Sequence, residues 1–544
     1  MTLASRLIAR LLELPPADTH DVLIERDLQV KCPDGVVLLA DHHSPRGGSK
    51  LPTILVRSPY GRRGLLGALF APFAERGFQV LIQSCRGTFG SGGRLDPFAD
   101  ERADGLATLA WLRAQPWYSG ELATLGPSYL GFVQWAIARE AHPDLKAMVP
   151  QVTTSEFRSQ TYAGESFSLD TALSWTYMMA SQEKSAAAVL ASRILTSRTL
   201  GRVFRHLPMG EADRQATGQS SRYFQEWLAH SEPEDAYWTA RGFSETVGEV
   251  TASVHLIGGL YDIFLPWQLN DYAALRRAGR APYLTIGPWV HMSPGLIQVS
   301  SRESLIWLQA HLLGDRRALR EAPVRVFVTG AEAWRDFADW PPPGARPSRW
   351  HLTAGGRLAQ ALPAASEPDR YRYDPANPTP AVAGPSLNAR SGIADNRALE
   401  SRADVLTYTS EPLDRDLEVI GPVSVDLHVS SSLAHTDFFA RLCDVLPSGK
   451  SINVCDALRR VRPGTPALEA DGSLHLTFDL WPAAHRFRRG HRLRLQVSSG
   501  AHPRFARNPG TGEPLASASR LVAADQALYH DPAHPSAIVL SVLG

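Results

Sequence analysis

Cysteine, lysine, charge of one sign and long apolar runs are all scarce in this 544-residue chain, and each scarcity removes a class of protein. The four cysteines, Cys32, Cys85, Cys443 and Cys455, lie far apart, with no CxxC pair and no Cys/His cluster at metal spacing. Neither a disulfide framework nor a metal site is expected. Acidic and basic side chains nearly cancel, 55 against 56, so no net field draws the chain to nucleic acid or to an anionic membrane. Almost all the basic residues are arginine, which reads as the codon bias of a GC-rich, bacterial genome rather than as function. No stretch approaches the roughly 18 uninterrupted apolar residues of a membrane span. The opening MTLASRLIARLLELPPADTHD is amphipathic, broken by Arg6, Arg10 and Glu13, and has no small-residue cleavage site. It reads as a surface helix rather than a signal peptide, and a cytoplasmic address is the default expectation.

What remains is the composition of an ordinary globular protein, 44% hydrophobic and 20% charged. The chain is too long for a single core. From Asp21 to about Pro150, strand-like runs alternate with helical periods. VLIERDLQV and VVLLADHHS flank the turn Cys32-Pro33-Asp34-Gly35, a hairpin signal. PTILVRSPY, FQVLIQSCRG, ELATLG and LKAMVPQV are short apolar runs separated by helical stretches, the pattern of a parallel sheet with right-handed crossovers. Between about Glu156 and Arg241 the strand signal vanishes, and SLDTALSWTYMMASQEKSAAAVLASRILTSRTLGRVF and SSRYFQEWLAHS have helical spacing. Such an insertion predicts a lid. TASVHLIGGLYD and APYLTIGPWVH restore the sheet pattern around the helical WQLNDYAALRRAG, and SLIWLQAHLLGD, about 304–315, predicts a closing helix. From about Pro323, short alternating segments split by Pro, Gly, Asn and Asp predict an all-β sandwich or jelly roll. The expected domains are a core in two parts, 1–155 and 246–322, a helical cap over 156–245, and a β-sandwich over 323–544.

Gly126-Pro127-Ser128-Tyr129-Leu130-Gly131 lies between a strand and a helix. A bare G-x-S-x-x-G arises by chance in many chains, but at a strand-to-helix turn it reads as a nucleophile elbow. There the serine is held strained with its hydroxyl exposed, and flanking glycines remove clashing side chains. The Tyr129 N–H, at the positive start of the following helix, is the natural oxyanion donor. Serine needs a base, itself oriented by an acid, and in this fold the acid and then the histidine follow later strands. HLIGGLYD ends in Asp262, and YLTIGPWVH leads to His291. The rivals His42, His43, His255 and His351 sit in strands or turns with no matching acid before them. In the loop ILVRSPYGRRG, Tyr60 either aims its hydroxyl at the developing charge or is a packed aromatic. Cys85 reads as a small buried hydrophobe, and neither GGSK nor RGTFGSGG has the spacing of a phosphate loop.

Five ordered motifs carry a resemblance. Arg57-Ser58-Pro59-Tyr60, the stretch from Arg86 to Gly93, Gly126-x-Ser128-Tyr129-x-Gly131, Tyr261-Asp262 and Gly287-Pro288-Trp289-x-His291 together resemble the cocaine esterase / X-Pro dipeptidyl-peptidase family of α/β-hydrolases (CocE/NonD hydrolases). The resemblance covers nearly the whole chain. It implies an α/β-hydrolase fold with a helical cap and a C-terminal jelly-roll (galactose-binding-like) β-sandwich, and makes Tyr60 the side-chain oxyanion donor beside the Tyr129 N–H. One departure is Ser84-Cys85, where relatives commonly have Asp-Val; that bears on local packing, not on the triad.

The family splits among aromatic ester hydrolases, amino acid ester hydrolases, cephalosporin acylases and proline-directed dipeptidases. Those taking a free α-amino group pair it with carboxylates, two of which in the amino-ester hydrolases lie just after the catalytic Asp. Here Phe264 and Leu265 stand at those positions, where an unpaired ammonium would be costly to bury. The chain also lacks the long N-terminal extension of the proline dipeptidases. The expected substrate is a small-molecule ester with a neutral apolar or aromatic acyl group, held by Phe264 and by cap aromatics such as Trp175 and Tyr177. No cofactor is required, nucleic acid and membrane are not expected partners, and self-association into a homo-oligomer stays open. A peptidase or acylase with the same triad, a binding protein with a vestigial hydrolase half, and acyl transfer to an alcohol or amine rather than water are the rival readings.

Overall fold

The alternating runs on either side of Cys32-Pro33-Asp34-Gly35 pair in the computed structural model as antiparallel strands β1 (Val22–Lys31) and β2 (Val37–Pro45). The turn is closed by bonds from the Cys32 N–H to the Val36 carbonyl and from the Gly35 N–H to the Cys32 carbonyl. Gly35, at φ +88°, supplies the left-handed residue this reversal needs. The structure describes residues 3–48, 50–184, 199–387 and 391–544. It divides into two units, the first comprising Met1–Phe157, Glu234–Gly259 and Phe264–Val324.

Within the first unit the uniformly apolar runs become β3 (Thr53–Ser58), β4 (Gln79–Ser84), β5 (Leu122–Pro127), β6 (Leu145–Gln151), β7 (Ser253–Tyr261) and β8 (Tyr283–Val290). The strand order is β1-β2-β4-β3-β5-β6-β7-β8. β2 pairs antiparallel with β4, whereas β3 with β4 and β5, β5 with β6, and β6 with β7 are parallel. Every residue of β3 and β4 is buried, which is why these runs show no alternation: both faces are covered. Ile54, Val56, Val80, Ile82, Leu125 and Val149 from the strands meet Phe70, Phe73 and Trp307 from the helices in one apolar core. The crossover helices include Gly64–Ala74, Glu101–Arg113 and Tyr129–Ala138.

The closing helix departs from expectation. It spans Pro294–Leu312 and so begins about ten residues earlier than its apolar period predicted. Its first turns hold Gly295, Val299 and two serines, weak helix formers. Pro294 presets the first turn, and burial of Leu296 and Ser300 supplies the stability that local propensity does not.

The second unit comprises Arg158–Pro233, Leu260–Ile263 and Arg325–Gly544. Its first segment contains the helices Leu169–Ser181, Ala212–Thr217 and Arg222–Ala229, and no strand among the described residues. Residues 185–198, also read as helical, lie outside the described residues. The segment from Arg325 is mostly sheet. The 15-residue strand Leu417–Ser431 pairs with Leu474–Asp479, Ala483–Phe487, Ala524–Tyr529 and Ala537–Leu543. Strand Ser451–Val461, which alternation did not pick out, pairs along its length with Thr436–Val445. Its Asp456 is buried opposite Arg441, whose Nε and Nη2 lie 3.0 and 2.8 Å from its carboxylate. A charge inside a strand is tolerated there because a partner from the next strand neutralises it.

Candidate active site

Ser128 occupies the turn between β5 and the Tyr129–Ala138 helix at φ 59°, ψ −125°. This region is sparsely populated for a residue with a Cβ and costs about 1–3 kcal/mol. The surroundings hold it there. The Ser128 N–H donates to the Gln151 carbonyl (2.9 Å), and the Ser128 carbonyl accepts from the Gly131 and Phe132 N–H groups and the Thr153 hydroxyl (2.8, 3.1 and 2.7 Å). Both flanking glycines are sterically required. A Cβ on Gly126 would lie 2.5 Å from the Leu130 Cβ, and one on Gly131 2.4 Å from the Thr153 Cγ2.

The half-buried His291, in the turn after β8, places its Nε2 3.1 Å from the Ser128 Oγ. Residues far apart in sequence thus meet at hydrogen-bond distance, the relation of a nucleophile to its base. Its ring packs against Phe264, centroids 5.6 Å apart. The rival histidines are absorbed into the sheets. His42 contacts Glu25 and Gln79, and His255 contacts the Thr285 hydroxyl. Burial pushes His43 down to about 4 and His255 well below its ordinary value, and His351 is buried within strand Ala345–Thr353.

Asp262 directly follows β7, the neighbour of β8, and is fully buried. Its carbonyl accepts a bond from the Trp481 indole N–H at 3.0 Å, a contact from a residue that no local motif marked. Tyr60 follows β3 by two residues; its N–H donates to the Ser58 hydroxyl (3.0 Å), and its half-buried ring packs on the main core. The Tyr129 ring is buried, and its phenol donates to Glu101 Oε1 at 2.7 Å, leaving the backbone of this residue as the part that belongs to the serine turn. Trp175 lies with Tyr223 and Trp227 in an aromatic group inside the second unit, centroids 5.4 and 5.7 Å away. Tyr177, two residues on in the same helix, is half-buried.

An aromatic wall in the first unit escaped the sequence reading. Phe157 stacks on Phe98 (4.0 Å), meets Phe132 edge-on (5.2 Å) and contacts Phe264 (5.2 Å); Phe132 also contacts Phe243. The available signal was the position of Phe157, six residues past the carboxyl end of β6, where open α/β sheets carry their ligands. Two residues before Phe157, Ser155 meets Asp271 of the Leu265–Arg277 helix, which accepts from the Ser155 N–H and contacts its hydroxyl (2.9 and 2.5 Å). Burial raises Asp271 to about 8, opposed by the Ser155 bonds and reinforced by the Glu156 charge. Among the described residues no group of three or more His, Cys, Asp and Glu side chains is arranged to hold a metal ion. No described helix is long and apolar enough to cross a membrane.

A parallel sheet with a strained serine between strand and helix, and a histidine at its hydroxyl, has the arrangement of a serine hydrolase. Comparison with known proteins gives the family. The model of the X-Pro dipeptidyl-peptidase (S15) family matches residues 34–293, and that of the X-Pro dipeptidyl-peptidase C-terminal non-catalytic domain matches residues 317–539. A cocaine esterase from Rhodococcus sp. (strain MB1 Bresler) is 30% identical, with 96% of this chain and 98% of that protein aligned. Solved structures with similar folds include an α-amino acid ester hydrolase (TM-score 0.81) and an aminopeptidase from a marine sediment archaeon, Thaumarchaeota archaeon (TM-score 0.79). Each is 23% identical over 97% of this chain and 98% of its own. The chain belongs to the cocaine esterase / X-Pro dipeptidyl-peptidase (S15) family of hydrolases.

Proposed function

We propose that the chain hydrolyses a carboxylic ester through an acyl-enzyme on Ser128. The observation that carries this reading is the 3.1 Å approach of His291 Nε2 to the Ser128 Oγ on a strained elbow. His291 takes the hydroxyl proton as Oγ attacks the ester carbonyl, and Asp262 fixes the imidazole and balances its positive charge. The Tyr60 hydroxyl and the Tyr129 N–H receive the tetrahedral oxyanion. The alcohol leaves with the proton from His291, and water then repeats the sequence on the acyl-enzyme. The C-terminal unit is read as a jelly-roll β-sandwich, a reading supported by its antiparallel pairings.

The acyl group on this reading is neutral and apolar or aromatic. Phe264 beside His291 and Phe157 against Phe264 support it, as does the pair Phe264 and Leu265 after Asp262, both buried and neither able to balance an ammonium. Trp175 and Tyr177 are proposed as further acyl-binding residues. The cocaine esterase relative is consistent with this reading. The match to the X-Pro dipeptidyl-peptidase models favours one alternative, cleavage of an amide with the same triad. Initial rates on p-nitrophenyl acyl esters, aminoacyl anilides and Xaa-Pro anilides separate the two. The apolar acyl esters are expected to have the highest kcat/KM; faster turnover of either anilide set would overturn the assignment.

A further inference from the structure

Glu101 is a buried carboxylate that the proposed chemistry does not use, and it joins two segments that the chemistry does. One carboxylate oxygen, Oε1, accepts the Tyr129 phenol at 2.7 Å. The other, Oε2, lies 2.9 Å from Nη2 of Arg57, whose side chain is 1% exposed. Nη1 of Arg57 donates to the Glu101 carbonyl at 2.7 Å, and its Nε donates to Gln83 Oε1 at 3.0 Å. Arg57 lies near the end of β3, three residues before Tyr60, and Tyr129 directly follows Ser128. The phenol oxygen of Tyr129 is held from a second side by the Phe98 N–H at 3.0 Å, and its ring stacks on Phe98 at 5.2 Å. Gly105, one turn along the helix that Glu101 begins, permits the close approach. A Cβ there would lie 2.3 Å from Ile137 Cγ2 and 3.1 Å from Arg57 Nη1.

Resting on the serine hydrolase reading, we propose that Glu101 is a positioning residue of the oxyanion hole, setting the Tyr129 backbone through the phenol and the Tyr60 loop through Arg57. The two donors follow the ends of neighbouring strands, β3 and β5, whose pairing runs only from Thr53 to Leu55 against Leu122 to Thr124, so the ladder stops short of the donors and does not itself fix the distance between them. A single rigid acceptor bound to both segments does. Burial, strengthened by the Glu101 charge, holds the Tyr129 phenol well above its ordinary value, so it stays a donor throughout the working pH range. An oxyanion hole misplaced by a fraction of an ångström stabilises the transition state less while leaving ground-state binding almost unchanged.

The test uses Tyr129→Phe, Glu101→Gln and the double variant of the full chain, with p-nitrophenyl ester kinetics and inhibition by phenylboronic acid, whose serine adduct mimics the tetrahedral state. Tyr129→Phe keeps the ring packing and the backbone N–H and removes the tether together with the acceptor of the Phe98 N–H. It is expected to lower kcat about tenfold with KM within about twofold, and to weaken phenylboronic acid in the same proportion as kcat. Glu101→Gln also leaves Arg57 with only the more distant Asp104 carboxylate, at 4.0 Å, and is expected to lose at least as much, with the double variant losing no more than Glu101→Gln alone. If Glu101→Gln does not fold, Tyr129→Phe decides alone. Unchanged kcat and boronate affinity in Tyr129→Phe would overturn the proposal, as would a loss confined to KM or fully additive losses in the double variant. A wild-type chain that hydrolyses none of the esters and is not labelled by a fluorophosphonate would instead sink the underlying hydrolase reading.

Discussion

Replacing Asp271 with Asn should leave stability unchanged below about pH 4 and make the protein progressively more stable than the parent as pH rises from there to about 8. Asp271 is buried, with Ser155 as its hydrogen-bonding neighbour, and burial lifts its carboxyl from 3.8 to about 8. The folded chain therefore keeps a proton that the unfolded chain releases near pH 4. Across the interval between those values the folded state binds more protons, so stability falls as pH rises and levels off above about 8. A shift of about four units corresponds to a penalty on the order of 5 kcal/mol at alkaline pH. Asparagine reproduces the protonated acid: its oxygen accepts the Ser155 N–H, and its nitrogen donates to the Ser155 hydroxyl. Melting temperatures of both proteins from pH 4.5 to pH 9 provide the assay. The curves should lie closest together at the acid end and diverge steadily up to about pH 8 in favour of Asp271→Asn, by roughly 5–10 °C at pH 8.5. Parallel curves, or a variant less stable at pH 8.5, would refute the claim that this carboxyl is held protonated by burial.

Ser128→Ala should abolish ester turnover and fluorophosphonate labelling, while Tyr60→Phe should lower kcat by roughly 10²–10³-fold, the loss of one oxyanion donor; full activity in the Phe variant removes Tyr60 from the mechanism. Gly131→Ala would drive a Cβ to within 2.4 Å of Thr153 Cγ2. The expected cost is about 1–3 kcal/mol of overpacking, with a marked fall in kcat as the Ser128 turn shifts; a wild-type melting temperature and rate would show the elbow to be looser than described. All four cysteines are buried, and burial raises each thiol, Cys32 and Cys443 to about 12. A thiol reagent such as DTNB should therefore titrate essentially none of them in the native protein and all four in denaturant; fast reaction of one native thiol contradicts that environment.

Short-range pattern was enough for the hairpin at Gly35, the buried parallel strands and the serine turn, because each depends on neighbours within a few residues. The reading of Ser128 as a nucleophile needed only a strand before it and a helix after it. His291 was singled out by its place after a strand, but a sequence has no ruler, and its 3.1 Å approach to the Ser128 Oγ exists only once the sheet has assembled. Where local rules failed, a distant partner was responsible. Helix Pro294–Leu312 starts early because burial of Leu296 outweighs weak propensity, and strand Ser451–Val461 carries Asp456 inside because Arg441 lies opposite. Phe157 joins the aromatic wall, Asp271 meets Ser155, and Glu101 ties Arg57 to Tyr129 for the same reason. A chain writes its backbone preferences residue by residue, whereas the free energy of a buried charge or ring depends on what packs against it, and that partner is chosen by the fold.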